Sequence, residues 1–133
     1  MLADAPVVAI VPCVDMERAR KFYGEVLGLE QAEVPGAVEE ASPGVAMFQC
    51  GGGTQLLVYK RQEATKAEHT AAGWIVEDLD AVVDGLIAKG VSMEVYDMPG
   101  VEFDERGVAV AEDVKTAWFK DPEGNILSIT QRP

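Results

Sequence analysis

The chain sets short apolar runs against stretches with helical spacing, and it does so twice in the same order. Residues 7–13 form a continuous apolar run that predicts a buried strand stopping at Pro12. Asp15 follows as an N-cap. Met16, Ala19, Phe22, Tyr23, Val26 and Leu27 then recur at helical spacing, with Glu17, Arg18, Arg20, Lys21 and Glu25 on the opposite face. Gly28 stands where a helix places its C′ glycine. Residues 29–34 predict a short strand and residues 35–43 an acidic, turn-rich loop with Glu39 and Glu40. Residues 45–50 and 54–59 predict two strands joined by a Gly51-Gly52-Gly53 turn.

Residues 60–70 are polar and charged and read as a linker, after which the order repeats. Residues 73–77 predict a strand and Asp78 a second N-cap. Leu79, Val82, Val83, Leu86 and Ile87 predict an amphipathic helix, and Gly90 a second C′ glycine. Residues 91–96 predict a strand. Residues 97–112 form a long segment with room for a short strand at 108–111. Residues 116–131 close the chain as a hairpin around Asp121-Pro122-Glu123-Gly124-Asn125. There Pro122 presets φ, Gly124 or Asn125 can take positive φ, and Asp121 can accept from the turn backbone. The two caps and the two glycine stops stand in the same register to within a single residue. Each half therefore reads as strand, helix, strand, strand, strand.

Three motifs resemble one superfamily. Val14-Asp-Met-Glu-Arg-Ala-Arg-Lys-Phe-Tyr-Gly-Glu-Val-Leu-Gly-Leu29 looks like the signature helix of the vicinal oxygen chelate superfamily. Val76-Glu-Asp-Leu-Asp-Ala81 and Asp121-Pro-Glu-Gly-Asn125 look like its second-half signatures. That superfamily includes glyoxalase I, extradiol dioxygenases, fosfomycin-resistance enzymes and bleomycin-resistance proteins. The resemblance implies an α+β fold: a single domain of two βαβββ modules, over residues 7–59 and 71–131, forming a curved mixed sheet around one cleft. It also implies frequent dimerisation and, in many members, a divalent metal held by His, Glu or Gln. Counted from the motifs, the four ligand positions fall on Val8, Leu56, Ala71 and Ser128, so the expectation is a metal-free site with no cofactor.

Strand alternation from those positions adds Ile10 and Pro12, Thr54 and Val58, Gly73 and Ile75, and Ile126 and Thr130 to the expected cleft face. The opposite face is expected to hold Leu57, Trp74, Leu127 and Ile129, with Phe119 in the core and Trp118 toward the cleft. Tyr96, Met98 and Phe103 lie on a segment, residues 96–112, that is long enough to be a lid. His69, the one histidine, would share a strand face with Ala71. The resulting cleft is apolar with a few hydroxyls, as in a site for a small organic molecule.

Composition narrows the classes. At 133 residues the chain suits one domain or two half-size modules, and 48% hydrophobic residues suffice for a core. A net charge of −12 repels phosphate backbones and argues against nucleic acid as a partner. No apolar run reaches membrane length. Cys13 and Cys50 each end an apolar run, as reduced thiols of a cytoplasmic protein would. The sequence thus reads as a protein that binds or sequesters a small organic molecule, as a homodimer. The alternative is an enzyme: a lyase or isomerase of glyoxalase type, or a metal-independent relative using Glu77, Glu102, Asp104, Glu105, Glu112 or Asp113.

Overall fold

The computed structural model describes residues 1–33 and 44–133. The acidic loop expected at 35–43, and the strand end expected at 34, lie outside the described residues. The chain divides into two compact units. One is Met1–Lys66 together with Pro122–Gly124; the other is Ala67–Asp121 together with Asn125–Pro133.

The first unit begins with β1 (Val8–Cys13), then α1 (Met16–Lys21), which continues into a π-helical turn (Phe22–Val26). β2 (Glu30–Ala32), β3 (Val45–Gln49), a short 3₁₀ turn (Gly51–Gly53) and β4 (Gln55–Lys60) follow. The sheet order is β1-β4-β3-β2, with β1 parallel to β4 and the other pairs antiparallel. Asp15 caps the helix as expected, its carboxylate accepting from the Arg18 N–H at 3.0 Å. Gly28 takes φ of +74° at the helix end, a conformation that costs glycine nothing. β1 runs through Pro12 to Cys13 instead of stopping at the proline. It lies at the end of its sheet, where a residue without an N–H is tolerated. Val11, Cys13, Ala46, Phe48, Leu56 and Val58 pack from the sheet against Ala19, Phe22 and Tyr23 from the helix, all buried. The Tyr23 and Phe48 rings lie 5.8 Å apart.

The second unit repeats this plan. It holds β5 (Thr70–Ile75), α2 (Leu79–Ala88), β6 (Met93–Glu94), β7 (Glu102–Phe103), β8 (Ala109–Ala111), β9 (Val114–Lys120) and β10 (Ile126–Gln131). β5 is parallel to β10, β10 antiparallel to β9, and β9 antiparallel to both β6 and β8, which carries β7. Asp78 caps α2 through the Ala81 N–H at 3.1 Å, and Gly90 takes φ of +88°. The path β5-β10-β9-β6 thus repeats β1-β4-β3-β2, with β7 and β8 added. The strand expected at 91–96 shortens to Met93–Glu94. Ile87, expected on the core stripe, is 43% exposed, while Leu79, Val83 and Leu86 carry the burial. Lys60 and Thr70 belong to β4 and β5, so only residues 61–69 run without regular structure between them. The mixed sheets and helical segments of the described residues make an α+β fold. No helix among the described residues is long and apolar enough to cross a membrane.

Candidate functional site

In each sheet one face packs the helix and the other is free of it, and register decides which residues lie where. In the first unit Ile10 pairs with Leu57 and Val11 with Val58. Val11, Leu56 and Val58 are buried with the helix. The helix-free face therefore carries Val8, Ile10, Pro12, Gln55, Leu57 and Tyr59. This corrects the expectation for two residues: Leu56 and Val58, placed on the cleft face by counting, are 1% and 0% exposed core residues. Leu57, assigned to the core, is the half-buried one on the helix-free face.

In the second unit strand register separates two faces, with Ile126 as an exception. Leu127, Ile129, Ala117 and Phe119 are buried, while Ser128 pairs with Gly73 and Trp118 on the opposite face, with Thr130 and Ile75 beside them. Ala71 shares that face by alternation with Gly73. Trp74 pairs with Ile129 on the core face. Ile126 departs from the pattern: it is 8% exposed, and the sheet is irregular between it and Leu127.

The chemistry of this second face gathers around Trp118. Tyr96 meets it edge-on at 5.8 Å and Phe103 at 6.0 Å with a 46° tilt. The indole N–H donates to the Thr70 hydroxyl at 3.2 Å. Ser128 Oγ sits so close over Gly73 that a Cβ there would lie 2.4 Å from it, so glycine is what lets the hydroxyl occupy that spot. The Tyr96 hydroxyl is buried and has no hydrogen-bond partner among the described residues. Burial first, and the neighbouring Glu94 charge second, push its pKa above the ordinary phenol value, so the group stays protonated.

The segment expected as a lid is anchored rather than loose. Asp104 accepts from the backbone N–H groups of Arg106 and Val108 at 2.8 and 2.9 Å. Arg106 reaches back to α2, pairing with Asp80 at 2.5 Å and Asp84 at 3.0 Å, and Lys115 joins Asp80 at 2.7 Å. Gly107, at φ +87°, lies so near the Glu94 carbonyl that a Cβ would be 2.8 Å from it. These contacts hold the 104–108 turn and leave residues 95–101, with Tyr96 and Met98, as the less constrained stretch. His69 is exposed, and its ring nitrogen lies 3.3 Å from the neighbouring Thr70 carbonyl; among the described residues its ring makes no contact with the aromatic cluster.

The donor set does not fit a metal of the kind the family resemblance implies. Register makes Leu57 the counterpart of Ser128, so the four positions become Val8, Leu57, Ala71 and Ser128. Three hydrocarbon side chains and one neutral hydroxyl supply no charged or imidazole ligand. Among the described residues no three His, Cys, Asp or Glu side chains cluster. A concavity of about 650 Å³ lies elsewhere, lined by Lys60, Arg61, Gln62 and Glu63. Among the described residues its lining is four consecutive exposed residues with no buried or converging group, so the chemistry points to Trp118 instead.

Sequence reading passed over one residue, Glu123. It is buried in the Pro122–Gly124 tip that belongs to the first unit, accepting from the Val14 N–H and from the Arg18 guanidinium. Burial pushes this carboxyl up, but the Val14 amide and then Arg18 outweigh it, and its pKa falls below the usual carboxylate value.

The sequence matches the model of the Glyoxalase/Bleomycin resistance protein/Dioxygenase superfamily over residues 6–129. No curated protein matches it. Solved structures share its fold. A protein described as of the glyoxalase family from Bacillus anthracis matches at 22% identity and a TM-score of 0.74, covering 100% of both chains. A glyoxalase/dioxygenase from Nostoc punctiforme matches at 21% and 0.68, covering 100% of this chain and 95% of that one. A lactoylglutathione lyase from Agrobacterium tumefaciens matches at 19% and 0.61, covering 96% and 93%. At these identities the likeness is one of fold.

Proposed function

The chain belongs to the Glyoxalase/Bleomycin resistance protein/Dioxygenase superfamily, and we propose that it is a metal-independent member that binds a small, mostly apolar organic molecule on the helix-free face of its second unit. The observation that carries this reading is the half-buried Trp118, flanked by Tyr96 and Phe103 and bordered by the small residues Gly73 and Ser128. Aromatic surface beside small side chains offers both contact area and room, the usual make-up of an organic-ligand site. Burial of the ligand supplies the affinity at roughly 25 cal/mol per Å² of apolar area. Metal independence rests on the donor set, since Val8, Leu57, Ala71 and Ser128 cannot replace His or Glu ligands.

The test is a thermal-shift screen of small aromatic compounds on wild type and Ser128→Leu. Ser128 faces away from Leu127 and Ile129, so the variant should melt near wild type yet lose the shift from every hit. Hits that bind Ser128→Leu undiminished would refute the site. Near-stoichiometric nickel, zinc, manganese or iron in protein purified without chelator would refute metal independence.

The same reading takes the protein as a cytoplasmic homodimer. Two reduced cysteines and the exposed Ile10 and Ile75, on strands at the ends of their sheets, support it. Sedimentation at micromolar concentration that gave only a 14.3 kDa species would remove the dimer.

A further inference from the structure

We propose that Tyr96 is the specificity-determining hydrogen-bond donor of this face, and that the molecule bound there carries a neutral carbonyl on a planar apolar body. The inference rests on the functional reading above and adds the ligand's polar group to it. Its starting point is the buried phenol oxygen without a partner. Leaving such a group unpaired forfeits its hydration without return, and native structures rarely leave one so without a use. The ring stands edge-on against Trp118, and this packing directs its oxygen into the buried position.

Three observations define what would satisfy it. The phenol stays protonated, so it offers a donor. Glu94 stands close enough to act on that phenol, and the whole chain carries −12, so an anionic acceptor is disfavoured and a neutral one is preferred. The indole N–H is already spent on Thr70, so Trp118 contributes its ring and not a hydrogen bond. A ketone or amide carbonyl on an aromatic frame meets all three. Tyr96 lies in the 95–101 connector, held internally by the Val101 N–H on the Met98 carbonyl at 3.1 Å, while Val95 is 61% exposed.

The experiment measures the affinity of 2-acetylnaphthalene and of its carbonyl-free analogue 2-ethylnaphthalene, by quenching of tryptophan fluorescence, for wild type, Tyr96→Phe and Ser128→Leu. Wild type should prefer the ketone by about tenfold, the size of one neutral hydrogen bond. Tyr96→Phe should bind both compounds alike, and without ligand it should melt at or above wild type, because a buried unpaired hydroxyl has gone. No preference in wild type, a preference that survives Tyr96→Phe, or a lowered melting temperature of the free variant would each overturn the role of Tyr96 while leaving the face as a binding site. Failure of both naphthalenes to bind wild type, or binding that persists in Ser128→Leu, would overturn the face itself and the inference with it.

Discussion

The helix-free faces of the two units share a topology and differ in chemistry. In the first, Val8, Ile10, Pro12 and Leu57 present aliphatic surface, with Gln49, Gln55 and Tyr59 among them. In the second, the counterparts of Ile10 and Leu57 are Gly73 and Ser128, and Trp118, Tyr96 and Phe103 stand beside them. Charge divides the units the other way: the first unit buries Glu123 against Arg18, while the second keeps its Arg106–Asp80–Lys115 cluster at the surface. Strand pairing and helix packing set the repeat, and they constrain only one face of each sheet. The other face is free to diverge, and that is where the second unit departs from the first.

The largest effects should come from the faces the two units have in common. Leu56→Ala and Leu127→Ala each remove a side chain that is 1% or 0% exposed, so each should cost roughly 2–5 kcal/mol by urea denaturation. Leu57→Ala, one residue away, should cost clearly less. Equal losses at Leu56 and Leu57 would break the face assignment of the first unit.

Glu123→Gln comes next, costing about 1–3 kcal/mol at neutral pH, since hydrogen bonds to a buried charge are lost. Because folding lowers the Glu123 pKa, its contribution is fully present above the ordinary glutamate value of 4.5 and fades as pH falls through the lower folded value. Melting temperatures of wild type and variant should therefore differ at pH 7 and converge in acid. A constant gap would mean that the carboxylate charge is not what matters.

Gly73→Ala should cost about 1–3 kcal/mol by crowding the Ser128 hydroxyl, and Ser128→Ala in the same chain should relieve most of that. Two additive losses would show that the close approach is not the reason for glycine. Asp80→Asn should have the smallest effect, because its partners share it at the surface. What difference it makes should vanish near 1 M salt, where screening acts within about 3 Å.

Much of the fold was legible because its signals are local. Asp15 and Asp78 cap, Gly28 and Gly90 stop, and Asp121 holds its turn by accepting from the Asn125 N–H at 2.8 Å. The face of β4 was not legible. Leu56 and Leu57 are both apolar on a strand with neighbours on either side, so alternation carries no contrast, and a one-residue slip exchanges every side chain between faces. Glu123 was hidden for a different reason: its partners Val14 and Arg18 lie 109 and 105 residues away, and a glutamate in a Pro-Glu-Gly turn looks like any solvated turn residue. The 104–108 anchor was likewise invisible, since Arg106 finds Asp80 and Asp84 only once α2 and the β7–β8 hairpin are in place. Around Trp118 the outcome was mixed. Two adjacent aromatics in a strand must face opposite ways, which placed Phe119 inside and Trp118 outside, but no spacing rule brings Tyr96 and Phe103 to one ring.

The π-helical turn in the first unit has a consequence for the ancestry of the repeat. From cap to stop, Asp15 to Gly28 spans one residue more than Asp78 to Gly90, yet both helices end on a glycine with positive φ. A turn closed by i→i+5 bonds, as from the Leu27 N–H to the Phe22 carbonyl, takes up one surplus residue without adding a turn. The halves of a duplicated gene would thus differ here by a single codon, lodged in a helix instead of a loop. Removing Gly24 should return the segment to α-helical pairing and bring the two repeats to equal length.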